Sequence, residues 1–62
     1  MWKEIWRDAL YKVIRFEGSE VKYGVFDTDN RDPKLENVVG GSVFLTLNGA
    51  VSHVRLLESW MW

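Results

Sequence analysis

The chain has 62 residues, with 8 Lys+Arg, 9 Asp+Glu, no Cys, one Pro and four Trp. A chain of this length buries only about 60% of its extended surface, so we expect one small domain over residues 1–62. Without Cys, disulfides and Cys-ligated zinc are excluded, and a reducing, cytoplasmic location is the expectation. A net charge of −1 gives no general attraction to nucleic acid, and the apolar runs are too short to span a membrane.

The N-terminal segment carries a helical period. Its apolar residues follow the spacing i, i+3, i+4, i+7 and i+8, and they are Trp2, Ile5, Trp6, Ala9 and Leu10. This spacing forms one stripe of an α-helix, with charged residues between the apolar ones. The pattern predicts a short amphipathic N-terminal helix.

A first β-hairpin is predicted around Gly18-Ser19, a pair typical of a type II′ turn. Folding about this pair places Phe16 opposite Val21. The apolar residues then collect on one face, whereas Arg15 and Lys22 lie on the other. This sorting favours two strands that are buried on one side.

A second hairpin is predicted around Asn48-Gly49, because type I′ turns need positive φ at both central residues. Folding here pairs Leu45 with Ser52 and Val43 with Val54. Residues 27–37 between the hairpins are polar and contain the one Pro, so they are predicted to form a long loop. Residues 37–41 either add a short strand or lead directly into the second hairpin.

The predicted fold class is α+β, with the N-terminal helix packed on a strongly bent antiparallel sheet of 4–5 strands. This order of elements resembles that of Sm-like and SH3-like small barrels. The segment 23–27 (Tyr-Gly-Val-Phe-Asp) is similar to the second strand of Sm proteins. The glycine-bearing second Sm signature is missing, so no family is assigned.

No pattern of catalytic or metal-binding residues is recognised. Counted from Asp27, a calcium-binding loop would need Gly at position six and Glu at position twelve, where Asp32 and Val38 stand. The lone His53 is expected on the solvent side of a strand, and its neighbour Ser52 would point to the opposite face. We therefore predict a protein that is not an enzyme and that has no cofactor and no metal site.

The tryptophans lie at the two ends of the sequence and are predicted to bind a partner protein. Trp is over-represented at the centres of protein interfaces. The predicted partner-binding residues are Trp2, Trp6, Trp60 and Trp62, with an acidic recognition loop of Asp27, Asp29 and Asp32. We expect a homodimer and a role as a small regulator or inhibitor of a larger protein, of the kind found in phages and mobile elements.

An alternative function is binding of single-stranded nucleic acid by a small barrel. Such barrels stack bases on aromatic side chains that lie between basic residues. The residues predicted for this alternative are Arg15, Lys22, Phe44 and Arg55. Glutamates beside Arg15 and Lys22 weaken this pattern, so protein binding is the preferred prediction.

Overall fold

The computed structural model describes residues 1–60. These residues form four strands and one α-helix, which are β1 (Trp2–Arg7), β2 (Tyr11–Phe16), β3 (Lys22–Asp27), β4 (Val43–Phe44) and α1 (Leu47–Ser59). Two short 3-10 helices, Leu35–Asn37 and Val39–Gly41, precede β4, so residues 37–41 add no strand. The strands make one antiparallel sheet in the order β1-β2-β3-β4. The α+β class and the antiparallel sheet are confirmed. The barrel-like closure is wrong, because the sheet is open and has β1 and β4 at its edges.

The N-terminal segment is a strand, so the predicted helix at this end is wrong. Strand β1 contains a β-bulge, since its pairing register with β2 shifts between Glu4 and Trp6. The extra residue, Ile5, breaks the alternation of sides, and both Ile5 and Trp6 pack against the core. A bulged strand can therefore imitate the spacing of a helix.

The first hairpin is present, with a different register from the predicted one. Phe16 pairs with Lys22 and Ile14 pairs with Gly24, so residues 17–21 form the connection. Positive φ occurs in the described chain at Gly40 and Gly41 only, so Gly18 does not form a type II′ turn. The shift places apolar residues on both faces of the sheet.

Both faces of the sheet are buried, by different parts of the chain. On one face Val13 and Val25 pack with Ala50 and Val54 of α1, and all four are fully buried. The opposite face carries Ile14 and Phe26, which are also fully buried. The segment 28–38 lies on this second face: Val38 packs over Gly24, and Pro33 is buried.

The second predicted hairpin is instead the start of α1, so that prediction is wrong. Thr46 caps the helix, and its hydroxyl oxygen accepts a hydrogen bond from the backbone N–H of Gly49 at 3.1 Å. The core-facing residues of α1 follow helical spacing, and they are Leu47, Ala50, Val51, Val54 and Leu57. The cap and this stripe outweigh the turn preference of Asn48-Gly49.

Candidate interaction surface

The outer side of β1, from Trp2 to Arg7, is a sheet edge that we call the β1 edge. Glu17 N–H donates a hydrogen bond to the Met1 carbonyl, and Asp8 N–H donates one to the Tyr11 carbonyl, both at 2.9 Å. These two bonds identify the residues of β1 whose backbone groups bond to β2. Because the bonding direction alternates along an antiparallel strand, the backbone groups of Trp2, Glu4 and Arg7 point away from β2. Helix α1 packs over β2, β3 and β4. The β1 edge thus offers hydrogen-bonding groups to another chain.

Two opposite charges lie along the β1 edge, on the face of the sheet opposite α1. The guanidinium of Arg7 donates twice to the carboxylate of Glu4, from Nη2 to Oε1 at 2.7 Å and from Nε to Oε2 at 3.1 Å. The hydrogen bond from Arg7 lowers the pKa of Glu4, and the same bond raises the pKa of Arg7. Both side chains are exposed, so their charges remain accessible to a partner.

The structure places the predicted tryptophans in different environments. Trp2 and Trp6 both belong to β1, where Trp2 pairs with Phe16 and Trp6 pairs with Val13 on the opposite face. Trp2 is 44% exposed, whereas Trp6 is partly buried against the core. Trp60 follows the last turn of α1 and is 73% exposed. Trp62 lies outside the described residues.

The acidic loop is organised from inside the protein. Lys12 is only 6% exposed, and its ammonium donates a hydrogen bond to the backbone carbonyl of Asn30 at 2.5 Å. Asp27, Asp29 and Asp32 are exposed around this point, and Asp32 N–H donates to the side-chain oxygen of Asn30. Among the described residues no group of three or more His, Cys, Asp or Glu side chains is arranged to hold a metal ion.

The four residues of the nucleic-acid alternative are not brought together on one surface. Arg15 and Phe44 both lie in the row of the sheet that contains Tyr23, on the α1 side, whereas Lys22 pairs with Phe16 and faces the other side. Arg55 lies on α1. The charge of Arg15 is offset by Glu17, with Nη2 and Oε2 3.5 Å apart. This arrangement does not form a cationic stacking surface.

The single histidine serves packing on α1 and does not lie on a strand as predicted. Its Nε2 lies 3.3 Å from the carbonyl oxygen of Val39, and its ring centroid lies 5.1 Å from that of Phe44. A Cβ at Gly40 would collide with the His53 ring, so a glycine at this position lets the chain pass close to the helix. The neighbours of the His53 ring are thus a backbone carbonyl and an aromatic ring, which is the environment of a side chain that contributes to packing.

A shallow groove of about 320 Å³ lies beside the β2–β3 connection. Its lining mixes apolar and charged side chains, including Phe16, Leu35, Glu20 and Lys22. Glu17, Glu20 and Lys22 all border the groove, so its lining carries charges of both signs.

A pair of carboxyl groups joins the end of α1 to the β1–β2 turn. Asp8 accepts hydrogen bonds from the backbone N–H groups of Leu10 and Tyr11, at 2.9 and 2.8 Å. Partial burial opposes ionisation of Asp8, but these bonds and one from Glu58 outweigh it and lower the pKa of Asp8. The hydrogen bond to Asp8, followed by burial, raises the pKa of Glu58.

Comparisons with known protein families, with curated proteins and with solved structures find no match. Within residues 1–60, α1 is too short and too polar to cross a membrane. The functional argument therefore depends on the surface of this chain alone. The feature that sequence analysis missed is the β1 edge, since a predicted helix has no open backbone to offer.

Proposed function

We propose that the protein is a non-enzymatic binding module that takes up an extended segment of another protein at the β1 edge. The observation that carries this proposal is the outward direction of the backbone groups of Trp2, Glu4 and Arg7. An added strand would satisfy these groups and extend the sheet, which is a common mode of protein recognition. The role predicted for Trp2 is thereby assigned a mechanism, whereas Trp6 packs against the core.

The side chains of the β1 edge support this mode of binding. Trp2 is half-exposed beside the outward backbone, and it offers a large contact area at low entropic cost. Glu4 and Arg7 supply one charge of each sign, which select a partner segment by its own charges. Strand addition needs few residues, so a chain of this size can act in this way as a regulator or inhibitor.

The second edge of the sheet is a weaker candidate for the same function. Strand β4 has two residues, against six in β1. A short edge strand offers few hydrogen bonds to a partner, which is one of the ways in which proteins protect an edge. The exposed indole of Trp60 lies at the end of α1 and provides an independent surface for comparison.

Capture of partners from a lysate of the source organism tests this function. Immobilised wild-type chain is compared with Glu4→Pro, which removes an outward N–H and leaves the bonds between β1 and β2, and with Trp2→Ala. The matched control is Trp60→Ala, which deletes an exposed indole elsewhere. We expect both β1 variants to lose the captured protein and the control to keep it. Loss with Trp60→Ala alone would refute the β1 edge as the binding surface.

A further inference from the structure

We propose that the β1 edge binds the β1 edge of a second copy of this chain. The two strands run antiparallel about a two-fold axis, with Glu4 of each copy opposite Arg7 of the other. This inference rests on the proposed function and names the partner segment. Two observations carry it, which are the outward backbone groups of Glu4 and Arg7 on one face of the sheet and the order of charges along β1.

The spacing of the outward groups is irregular because of the bulge. A regular strand turns the backbone of every second residue to one side, as β1 does at Trp2 and Glu4. Across the bulge the next outward residue is Arg7, three positions beyond Glu4. The bulge therefore leaves Glu4 and Arg7 on the same face of the sheet, opposite Ile14 and Lys12 of β2, although they are three positions apart. A second copy presents its own Arg7 and Glu4 with the same separation, so each can lie opposite the other residue of its partner.

The order of charges makes β1 complementary to itself in this register. Glu4 lies opposite Arg7 twice, once on each side of the two-fold axis. Both side chains lie on the sheet face opposite α1, as their pairing with Ile14 and Lys12 requires. A two-fold axis perpendicular to the sheet preserves that face, so the opposite charges meet directly.

The positions beyond the central charges match as well. In the same register Lys3 lies opposite Asp8 of the second copy, which joins a cation to an anion. In each copy helix α1 makes most of its sheet contacts with β2, β3 and β4, and Glu58 in its last turn hydrogen-bonds to Asp8.

The charges also explain why a second copy is favoured over an arbitrary strand. Charged side chains on an edge strand are a device that prevents unselective pairing. An unrelated strand would face charges that it does not match. The two charges therefore favour a partner that carries them in the reversed order.

Sedimentation velocity on the full chain at micromolar concentrations tests the inference. We expect a dimer for the wild type and a dimer Kd at least about 10-fold weaker for Glu4→Arg and for Arg7→Glu, because each places like charges opposite one another. Circular dichroism confirms that each variant is folded. Both substituted side chains are exposed, so the fold should tolerate them.

An equimolar mixture of the two single variants gives the decisive comparison. The Glu4→Arg variant has arginine at positions 4 and 7, and the Arg7→Glu variant has glutamate at both positions. In the proposed register each arginine of the first variant lies opposite a glutamate of the second. We therefore expect heterodimers in the mixture, although each variant alone is largely monomeric. The Glu4–Arg7 pair within each chain is broken in both variants, so only pairing between chains can restore association. Charge swapping by Glu4→Arg with Arg7→Glu in one chain should restore the homodimer too.

The outcomes separate this inference from the proposed function. A monomeric wild type, a dimer unaffected by the single substitutions, or a mixture that stays monomeric would overturn the inference. A monomer that still captures a lysate protein through the β1 edge would leave the proposed function standing. A chain that neither dimerises nor captures a protein through β1 would overturn both.

Discussion

Both faces of the sheet carry fully buried residues, and very different structures cover them. The continuous, capped helix α1 covers one face. The segment 28–38, which we call the irregular cover, lies over the other face. Fully buried residues alternate between these faces along β2 and β3, as Val13 and Ile14 or Val25 and Phe26 illustrate. Where strands are buried on both sides, as β2 and β3 are here, consecutive apolar residues replace the alternation of a one-sided strand.

The difference between the two covers lies in how each is held. Helix α1 forms its own backbone hydrogen bonds and needs only an apolar stripe to pack. The segment 28–38 has few internal bonds and depends on anchors from the sheet, including the Lys12 ammonium on the Asn30 carbonyl. The irregular cover should therefore respond more strongly to the loss of single contacts.

The largest expected effect comes from removing the buried Phe26 side chain beneath the irregular cover. We expect Phe26→Ala to lower the free energy of unfolding by about 3–5 kcal/mol, as for other buried Phe. Val54→Ala, on the helix side, should cost about 2 kcal/mol, because fewer atoms are removed. Urea unfolding followed by Trp fluorescence measures both. A smaller loss for Phe26→Ala than for Val54→Ala would show that the second face is not a true core.

The contact between the irregular cover and β3 can be overfilled at Gly24. A Cβ there would lie 2.7 Å from Cγ1 of Val38 and 2.9 Å from the Phe26 ring. We expect Gly24→Ala to cost about 1–3 kcal/mol of unfolding free energy. The control is Gly18→Ala, where a Cβ meets nothing within 4 Å, and it should be neutral or stabilising by up to about 1 kcal/mol. Equal effects at both positions would contradict the close approach of Val38.

The anchor of the irregular cover can be removed by Lys12→Met, which nearly keeps the side-chain length. The Asn30 carbonyl would lose its donor, so we expect a cost of about 1–3 kcal/mol in unfolding free energy. Faster amide hydrogen exchange in residues 28–32 should accompany it. Lys34→Met removes an exposed ion pair and should stay within about 0.5 kcal/mol. A variant Lys12→Met with unchanged exchange in this segment would refute the anchoring role.

The smallest expected effect concerns the helix side and depends on pH. Because the pKa of Glu58 is raised, its contact with Asp8 stabilises the fold at pH values below the usual Glu pKa. This stabilisation is lost as the pH rises through the raised pKa. Because the pKa of Asp8 is lowered, ionised Asp8 stabilises the fold at pH values above the usual Asp pKa. This stabilisation is lost as the pH falls through the lowered pKa. Both groups therefore stabilise the fold together at about pH 4.

Glu58→Gln isolates this effect, because an amide donates to the Asp8 carboxylate at every pH. We expect the variant to have a higher Tm than the wild type at pH 7 and a similar Tm near pH 4. The control is Glu36→Gln, an exposed residue for which the difference should not vary in this way. A constant Tm difference between Glu58→Gln and wild type across this range would contradict the carboxyl pair.

The sequence predicted the class of fold and the first hairpin, and it failed where local patterns were ambiguous. The bulge at Ile5 puts two neighbouring apolar residues on one side of β1, which reproduces helical spacing in a strand. At Asn48-Gly49 the turn preference is real but weak. The stripe from Leu47 to Leu57 and the cap at Thr46 were visible in the sequence and could have indicated α1.

The candidate surface could be predicted only in part. Residue type alone predicts Trp2 and Trp6 as contact residues, and Trp2 does lie exposed on the β1 edge. The open backbone beside them could not be predicted, because an edge is a property of strand order in the finished sheet. The burial of Lys12 was equally hidden, since its partner is a main-chain carbonyl 18 positions away.

The unequal length of the two sheet edges limits the size to which an assembly can grow. A chain with two long edges would add copies at both sides and propagate into a fibre. Here β1 has six residues and β4 has two, so the proposed pairing of β1 with β1 would consume the long edge of each copy. Growth would then stop at a closed pair. A chain with an open sheet can in this way remain finite and avoid the cross-β stacking to which exposed strands are prone.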